Sequence, residues 1–233
     1  MTKHSIAFFD PVAAVYGTAR AGATLVFRDG GDSIVADGPR MEPAGGGLRA
    51  ELEGRLALQL EPLGPEVDLG DVTARIARVS GRVGESELRC LGTLSETRTP
   101  PSWDELDALR SLSVLVDEET ALLALARRPR GALGHGEERV TAALVRDGEV
   151  HDVERARLST VYDGDGRQRS AGLELWMPGE EFPRRGSGLA IAGSSLDLEG
   201  LLVHAAVFRW RLEGREGLGA YELMVRREEP AAA

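Results

Sequence analysis

The chain has 233 residues, 42% of them hydrophobic, and a formal net charge of −10. That length suits one large all-β domain or two small barrels, and the composition supports a packed core rather than disorder. The acidic balance argues against non-specific nucleic-acid binding, which needs Lys and Arg against phosphate, and against attraction to an anionic membrane surface. Lys3 is the only lysine and Asn is absent, an Arg-, Ala-, Gly- and Val-rich usage that reads as the codon bias of a GC-rich, bacterial genome.

Met1-Thr2-Lys3-His4 opens without the apolar stretch of a signal peptide, and no apolar run approaches ~20 residues, so a cytoplasmic address is expected. Turn signals then recur at strand-like spacing: Asp29-Gly30-Gly31-Asp32, Asp37-Gly38-Pro39, Gly45-Gly46-Gly47, Asp147-Gly148, Asp163-Gly164-Asp165-Gly166, Gly193-Ser194-Ser195 and Glu213-Gly214. Asp-Gly pairs are strong hairpin signals because Gly accepts positive φ at no steric cost. The first set of predicted strands covers residues 12–19, 23–28, 33–36, 48–52, 55–61, 72–79 and 85–96. The lone cysteine, Cys90, falls in the last of these. It cannot form an intramolecular disulfide or a thiolate metal cluster and reads as a small core residue.

After Thr97-Arg98-Thr99-Pro100-Pro101, Ser102 and Glu105 stand in capping-box spacing and predict a short linking helix over 102–108. This is the best internal boundary, giving an N-terminal β half over 1–99 and the helix with a C-terminal β half over 100–233. The second set of strands covers residues 109–116, 121–126, 139–146, 150–162, 169–177, 188–196, 201–213 and 219–227. Many consecutive strands joined by short turns favour an all-β, antiparallel meander or up-and-down barrel over a parallel sheet. Residues 201–213 alternate, with His204, Ala206, Phe208 and Trp210 on one face, while 121–126 is apolar on both faces and so predicted to be buried on both.

The motif order in the second half resembles a known superfamily. Leu109-Arg110-Ser111-Leu112-Ser113 is followed by an apolar strand pair, Gly134-His135-Gly136-Glu137-Glu138, Val145-Arg146-Asp147-Gly148-Glu149, Arg157-Leu158-Ser159-Thr160 and a closing Glu216-Gly217-Leu218-Gly219-Ala220-Tyr221-Glu222. Over residues 105–227 this order is similar to the double-lipocalin superfamily of carotenoid 1,2-hydratases, AttH-like proteins and lipocalin-like Diels–Alderases. That family often has Arg-Ser-Trp after the central helix, where this chain has Arg110-Ser111-Leu112. The resemblance implies two lipocalin-like β-barrel halves. The chain is short for two complete barrels, so either one half is trimmed or a continuous sheet serves both. It further implies a cavity for an apolar, polyunsaturated ligand and chemistry without a cofactor: hydration, isomerisation or cyclisation of a hydrophobic polyketide or terpenoid, including a [4+2] closure in which the cavity brings the reacting ends together.

Side chains that could serve such chemistry are few. His204, Tyr162 and Tyr221 are the candidate catalytic groups, able to polarise or protonate, and Trp210, Phe208, Trp176 and Arg110 the candidate substrate-binding ones. Each has a plain alternative: a satisfied structural His, aromatics at period two forming core, tyrosines packing a barrel rim. Glu174 reads as an outward-facing carboxylate between Leu173 and Leu175, and Glu222 as the end of a Gly217-x-Gly219-x-x-Glu222 pattern with no βαβ unit to make it nucleotide-binding. His135 with Glu137 and Glu138 has no partner histidine at ligand spacing, so no metal site is expected, and no Gly-x-Ser-x-Gly supports Ser/His/Asp hydrolysis. Arg127-Arg128-Pro129-Arg130 reads as a solvated loop. The expected partner is thus a hydrophobic small molecule, taken up by a cofactor-independent enzyme of specialised metabolism. The alternatives are a non-catalytic lipocalin-like carrier and a structural β protein without a site.

Overall fold

Turn chemistry sets the strand order. Asp147-Gly148 and Glu213-Gly214 both turn with positive φ at the two central positions (52° and 75°, 50° and 85°), the primed geometry that matches the twist of flanking antiparallel strands. In the computed structural model, which describes residues 3–28 and 33–226, such turns fold the chain into two antiparallel sheets; the predicted turn at 29–32 lies outside the described residues. The first sheet holds β1 (Lys3–Asp10), β2 (Val15–Arg20), β3 (Ala23–Arg28), β4 (Ser33–Ala36), β5 (Arg40–Ala44), β6 (Gly47–Leu52), β7 (Leu56–Asp68), β8 (Val72–Val83) and β9 (Ser86–Thr97). The second holds β10 (Leu106–Leu115), β11 (Ala121–Pro129), β12 (Arg139–Arg146), β13 (Glu149–Asp152), β14 (Arg155–Tyr162), β15 (Gln168–Trp176), β16 (Arg184–Leu198), β17 (Leu201–Leu212) and β18 (Arg215–Arg226).

The two sheets share one topology. The first runs β4-β3-β2-β1-β9-β8-β7-β6-β5 and the second β13-β12-β11-β10-β18-β17-β16-β15-β14. In each, the first strand pairs with the last, and the two edge strands are consecutive in the chain, joined through Asp37-Gly38-Pro39 or Val153-Glu154. Among the described residues both sheets have nine strands, so neither half is trimmed against the other and no sheet is continuous across both.

Three apolar clusters follow from strand alternation. Ile6, Phe8, Leu48, Leu58, Leu60 and Val79 fill the first half, and Leu112, Val114, Leu144, Leu173, Phe208 and Trp210 fill the second. The third cluster takes residues from both, including Phe9, Tyr16 and Phe27 with Leu123, Leu125 and Val207, so each sheet turns its outer face onto the other. β17 shows the division: Ala206, Phe208, Trp210 and Leu212 face the second half's core, while Ala205 and Val207 face the shared one. Arg127, at the end of β11 rather than in a loop, ties the halves further by donating to the Leu69 carbonyl (3.1 Å) and Asp71 Oδ2 (3.0 Å).

Several expectations are corrected. Residues 102–108 form no helix. One turn closes from Glu105 N to Ser102 O (3.0 Å), and from Leu106 the chain joins the ladder of β11, then that of β18 from Ala108. One local capping signal cannot outweigh a strand with partners on both sides, since a helix nucleus is costly without several following turns. Gly193-Ser194-Ser195 is not a turn but the interior of β16, beside a register shift at Ala190/Ala192 where Gly193 backs closely onto Ala206. Residues 150–162 divide into β13 and β14, at opposite edges of the sheet. β1 and β5 were absent from the predicted strands. The apolar run Ile6-Ala7-Phe8-Phe9 serves a core on each face and so lacks alternation, and β5 is an edge strand holding Pro43. Cys90 is partly buried, and burial pushes its thiol up to about 12. No helix among the described residues is long and apolar enough to cross a membrane.

Candidate functional site

Two places collect polar side chains. The first lies inside the second half, and six of the seven predicted site residues line or adjoin it there. Arg110 on β10 is fully buried. Its Nη1 donates to Thr160 Oγ1 (2.9 Å) and to Tyr221 Oη (3.0 Å), its Nη2 donates to the Leu158 carbonyl (3.3 Å), and it forms an ion pair with the equally buried Glu138. Thr160 Oγ1 and Tyr221 Oη share a further bond of 2.6 Å. Burial pushes the Tyr221 hydroxyl up to about 12, a rise that the Arg110 charge only partly offsets. Phe208 lies against Tyr221 (centroids 5.4 Å apart) and stacks on Trp210 (5.2 Å). Tyr162 ends β14 opposite Gln168, near enough to interact electrostatically with Tyr221.

His204 is on the same inward face of β17. Its Nδ1 shares a 2.7 Å hydrogen bond with Ser195 Oγ, and its carbonyl accepts from Gln168 Nε2 (3.1 Å). Its pKa is lowered, first by burial and then by Arg167, with Asp163 opposing. A histidine whose folded-state pKa lies below its unfolded value takes up protons more readily once unfolded, so the stability it contributes is fully present above the unfolded value of about 6.5 and is lost as pH falls from there through the folded value. Thermal melts at pH 5 and pH 7 are therefore expected to differ less for His204→Gln than for the parent protein.

Trp176 stands apart. It is on the outer face of β15 with the Arg155 guanidinium 4.0 Å over its ring, next to Glu174, which faces Arg185 at 3.5 Å. The aromatic part of the inner core is closely packed: Phe208, Trp210 and Tyr221 are at most 1% exposed, and none of them lines the space described next.

The second place is a cavity of about 380 Å³ between the halves. Its wall is apolar at Leu109, Leu123, Leu125 and Trp103 and carries hydroxyls at Ser5, Thr18, Ser95 and Ser111. β1, β2 and β9 supply one side and β10, β11 and β18 the other, so the space exists only where both halves meet. On its wall Arg20 of β2 forms an ion pair with Glu222 of β18, and a second guanidinium nitrogen is 3.5 Å from Met224 Sδ. Burial lowers the Arg20 pKa to about 10, which leaves it charged at neutral pH. Glu222 is 6% exposed, and its Oε1 is buried without a hydrogen-bond partner.

The Gly217-x-Gly219-x-x-Glu222 pattern has a steric basis. A Cβ at Gly217 would come within 2.5 Å of the Leu115 carbonyl oxygen, and one at Gly219 within 1.8 Å of that of Ser113. The two glycines let β18 lie close on β10, which sets where Glu222 emerges. Sequence reasoning passed over Arg20, a single charge ending an apolar strand, because its partner is 202 residues away. Among the described residues no cluster of three His, Cys, Asp or Glu side chains is placed to hold a metal ion.

No family model matches the chain, and no curated protein matches its sequence. Solved structures do. An AttH-like protein from Nitrosomonas europaea superposes with a TM-score of 0.66 at 13% identity, over 95% of this chain and 91% of that one. Kievitone hydratase from Nectria haematococca gives 0.54 at 10% identity, over 97% and 88%. These matches span both halves, and the chain thus has the double lipocalin-like fold.

Proposed function

We propose that the protein is a cofactor-independent enzyme that binds a hydrophobic polyketide or terpenoid between its halves and moves a proton on it, giving hydration, isomerisation or ring closure. The observation that carries this reading is the largely buried Arg20–Glu222 pair on the wall of a mainly apolar space between the halves. A carboxylate there can take a proton from the bound molecule, and the neighbouring guanidinium stabilises the negative charge that develops. Returning the proton to another carbon isomerises the substrate. Taking it instead from a water whose oxygen adds to one carbon of a double bond, and returning it to the other carbon, hydrates the chain, and folding the chain so that its ends meet closes a ring. One structural neighbour is by name a hydratase, which is in keeping with proton chemistry of this kind. On this reading Arg110, Thr160 and Tyr221 are positioning residues: they fix β10 and β18 from behind, so that Ser111 and Glu222, the next residues along, face the cavity.

The test is conversion. Purified protein is incubated with linear polyenes and acyclic terpenoids, and products are followed by mass spectrometry. A gain of water identifies hydration, and an unchanged mass with a new retention time identifies isomerisation or cyclisation. Glu222→Gln is expected to lower turnover by roughly 10²–10⁴-fold with binding retained. Compounds that bind and return unchanged would make the protein a carrier instead.

A further inference from the structure

The hydrogen-bond inventory of the cavity constrains what it holds. Arg20 Nη2 is occupied by Glu222 Oε2, Arg20 Nη1 points to Met224 Sδ, and Ser113 Oγ already accepts from Ala220 N (3.1 Å). Glu222 Oε1 is left without a donor, although the Glu222 side chain is only 9% exposed. A buried acceptor without a donor is costly, more so when it carries charge. An ionised carboxylate can only accept, so it is satisfied by a ligand that donates. The Arg20 charge is already matched by Glu222, so the pair is neutral overall, and a cationic donor would add an uncompensated charge beside a partly buried guanidinium. His4 Nδ1, at the rim, is also buried without a partner, but an imidazole nitrogen can donate or accept and sets no direction.

We infer that the molecule bound between the halves is neutral and carries an O–H, an alcohol, phenol or enol, at the end that reaches Glu222 Oε1, with an apolar body against Leu109, Leu123, Leu125 and Trp103. The inference rests on the reading that this cavity is the binding site. It adds the polar group that a hydrocarbon chain lacks, and it places that group at a carboxylate able to remove its proton.

Calorimetry with 2-naphthol and 2-methoxynaphthalene tests it, since the two have nearly the same apolar surface and differ in the donor. The protein is expected to bind 2-naphthol roughly tenfold or more tighter. In Arg20→Met/Glu222→Leu, which replaces the ion pair by apolar side chains and so leaves no buried charge alone, the two probes are expected to bind equally. If that double variant fails to fold, Glu222→Gln is used in its place; its amide offers a donor as well as an acceptor, and the preference is expected to shrink. Equal binding of both probes by the parent protein overturns the inferred hydroxyl while the cavity remains a binding site. A preference that persists undiminished in the variant overturns it too. Binding of neither probe overturns the cavity reading itself, and the inference with it.

Discussion

Replacing Arg110 by methionine is expected to destabilise the protein by about 3–5 kcal/mol, measured as the shift of a urea unfolding midpoint at constant slope. The reason is what remains behind. Arg110 and Glu138 side chains are 0% and 1% exposed, so no water is at hand to solvate the carboxylate once its countercharge is gone. Thr160, Tyr221 and the Leu158 carbonyl lose a donor at the same time. Removing both charges together, as Arg110→Met/Glu138→Leu, is expected to recover most of the loss, because the cost belongs to the orphaned ion and not to the missing contact. If the single variant is as stable as the parent, Glu138 has an outlet to solvent and the pair is not the closed unit described above.

Trp210→Ala is expected to cost about 3–5 kcal/mol as well, by another route. Its ring stacks on Phe208 with 25° between the planes and covers Gly188, where a Cβ would come within 2.6 Å of the indole. The site is built by subtraction on one strand and addition on its neighbour: β16 supplies a glycine where β17 supplies the largest side chain. Truncation leaves a void that neither Phe208 nor a glycine can fill, so loss of transfer energy and loss of packing add. Trp210→Phe should retain much of the stability, and a change in the near-ultraviolet circular dichroism of the alanine variant would show the loosened aromatic stack.

The fold was legible where a strand has one wet face, or where a turn has only one geometry available. The limits of β4 and β12 coincide with the predicted 33–36 and 139–146, and both Asp147-Gly148 and Glu213-Gly214 are turns. It was illegible where periodicity fails for a physical reason: β1 has a core on each face, and the Ser102–Glu105 cap is a local preference overruled by pairing at Leu106 and beyond. The candidate residues divide along similar lines. Alternation along β17 put His204, Phe208 and Trp210 on one face, and the structure brings Arg110 and Tyr221 to the same interior. The same alternation put Trp176 opposite Leu173 and Leu175, and it is on the outer face. The cavity itself was out of reach. Its ion pair joins the second strand of one half to the last strand of the other, and no local pattern records a contact 202 residues long.

The pairing of first strand with last has a consequence for the order in which the chain takes shape during synthesis. β1 waits for β9, so the first half can close once residue 97 has emerged, with every strand partner already made. β10 waits for β18, whose final residue is Arg226, so the second half stays open until more than a hundred further residues have emerged. Such long-range closures are slow and leave apolar surface uncovered meanwhile. The finished first half is then available as a surface on which Leu123, Leu125 and Val207 can settle as they arrive. A ribosome that stops short of β18 would release a chain with one sheet complete, the other unclosed and no Glu222 to meet Arg20.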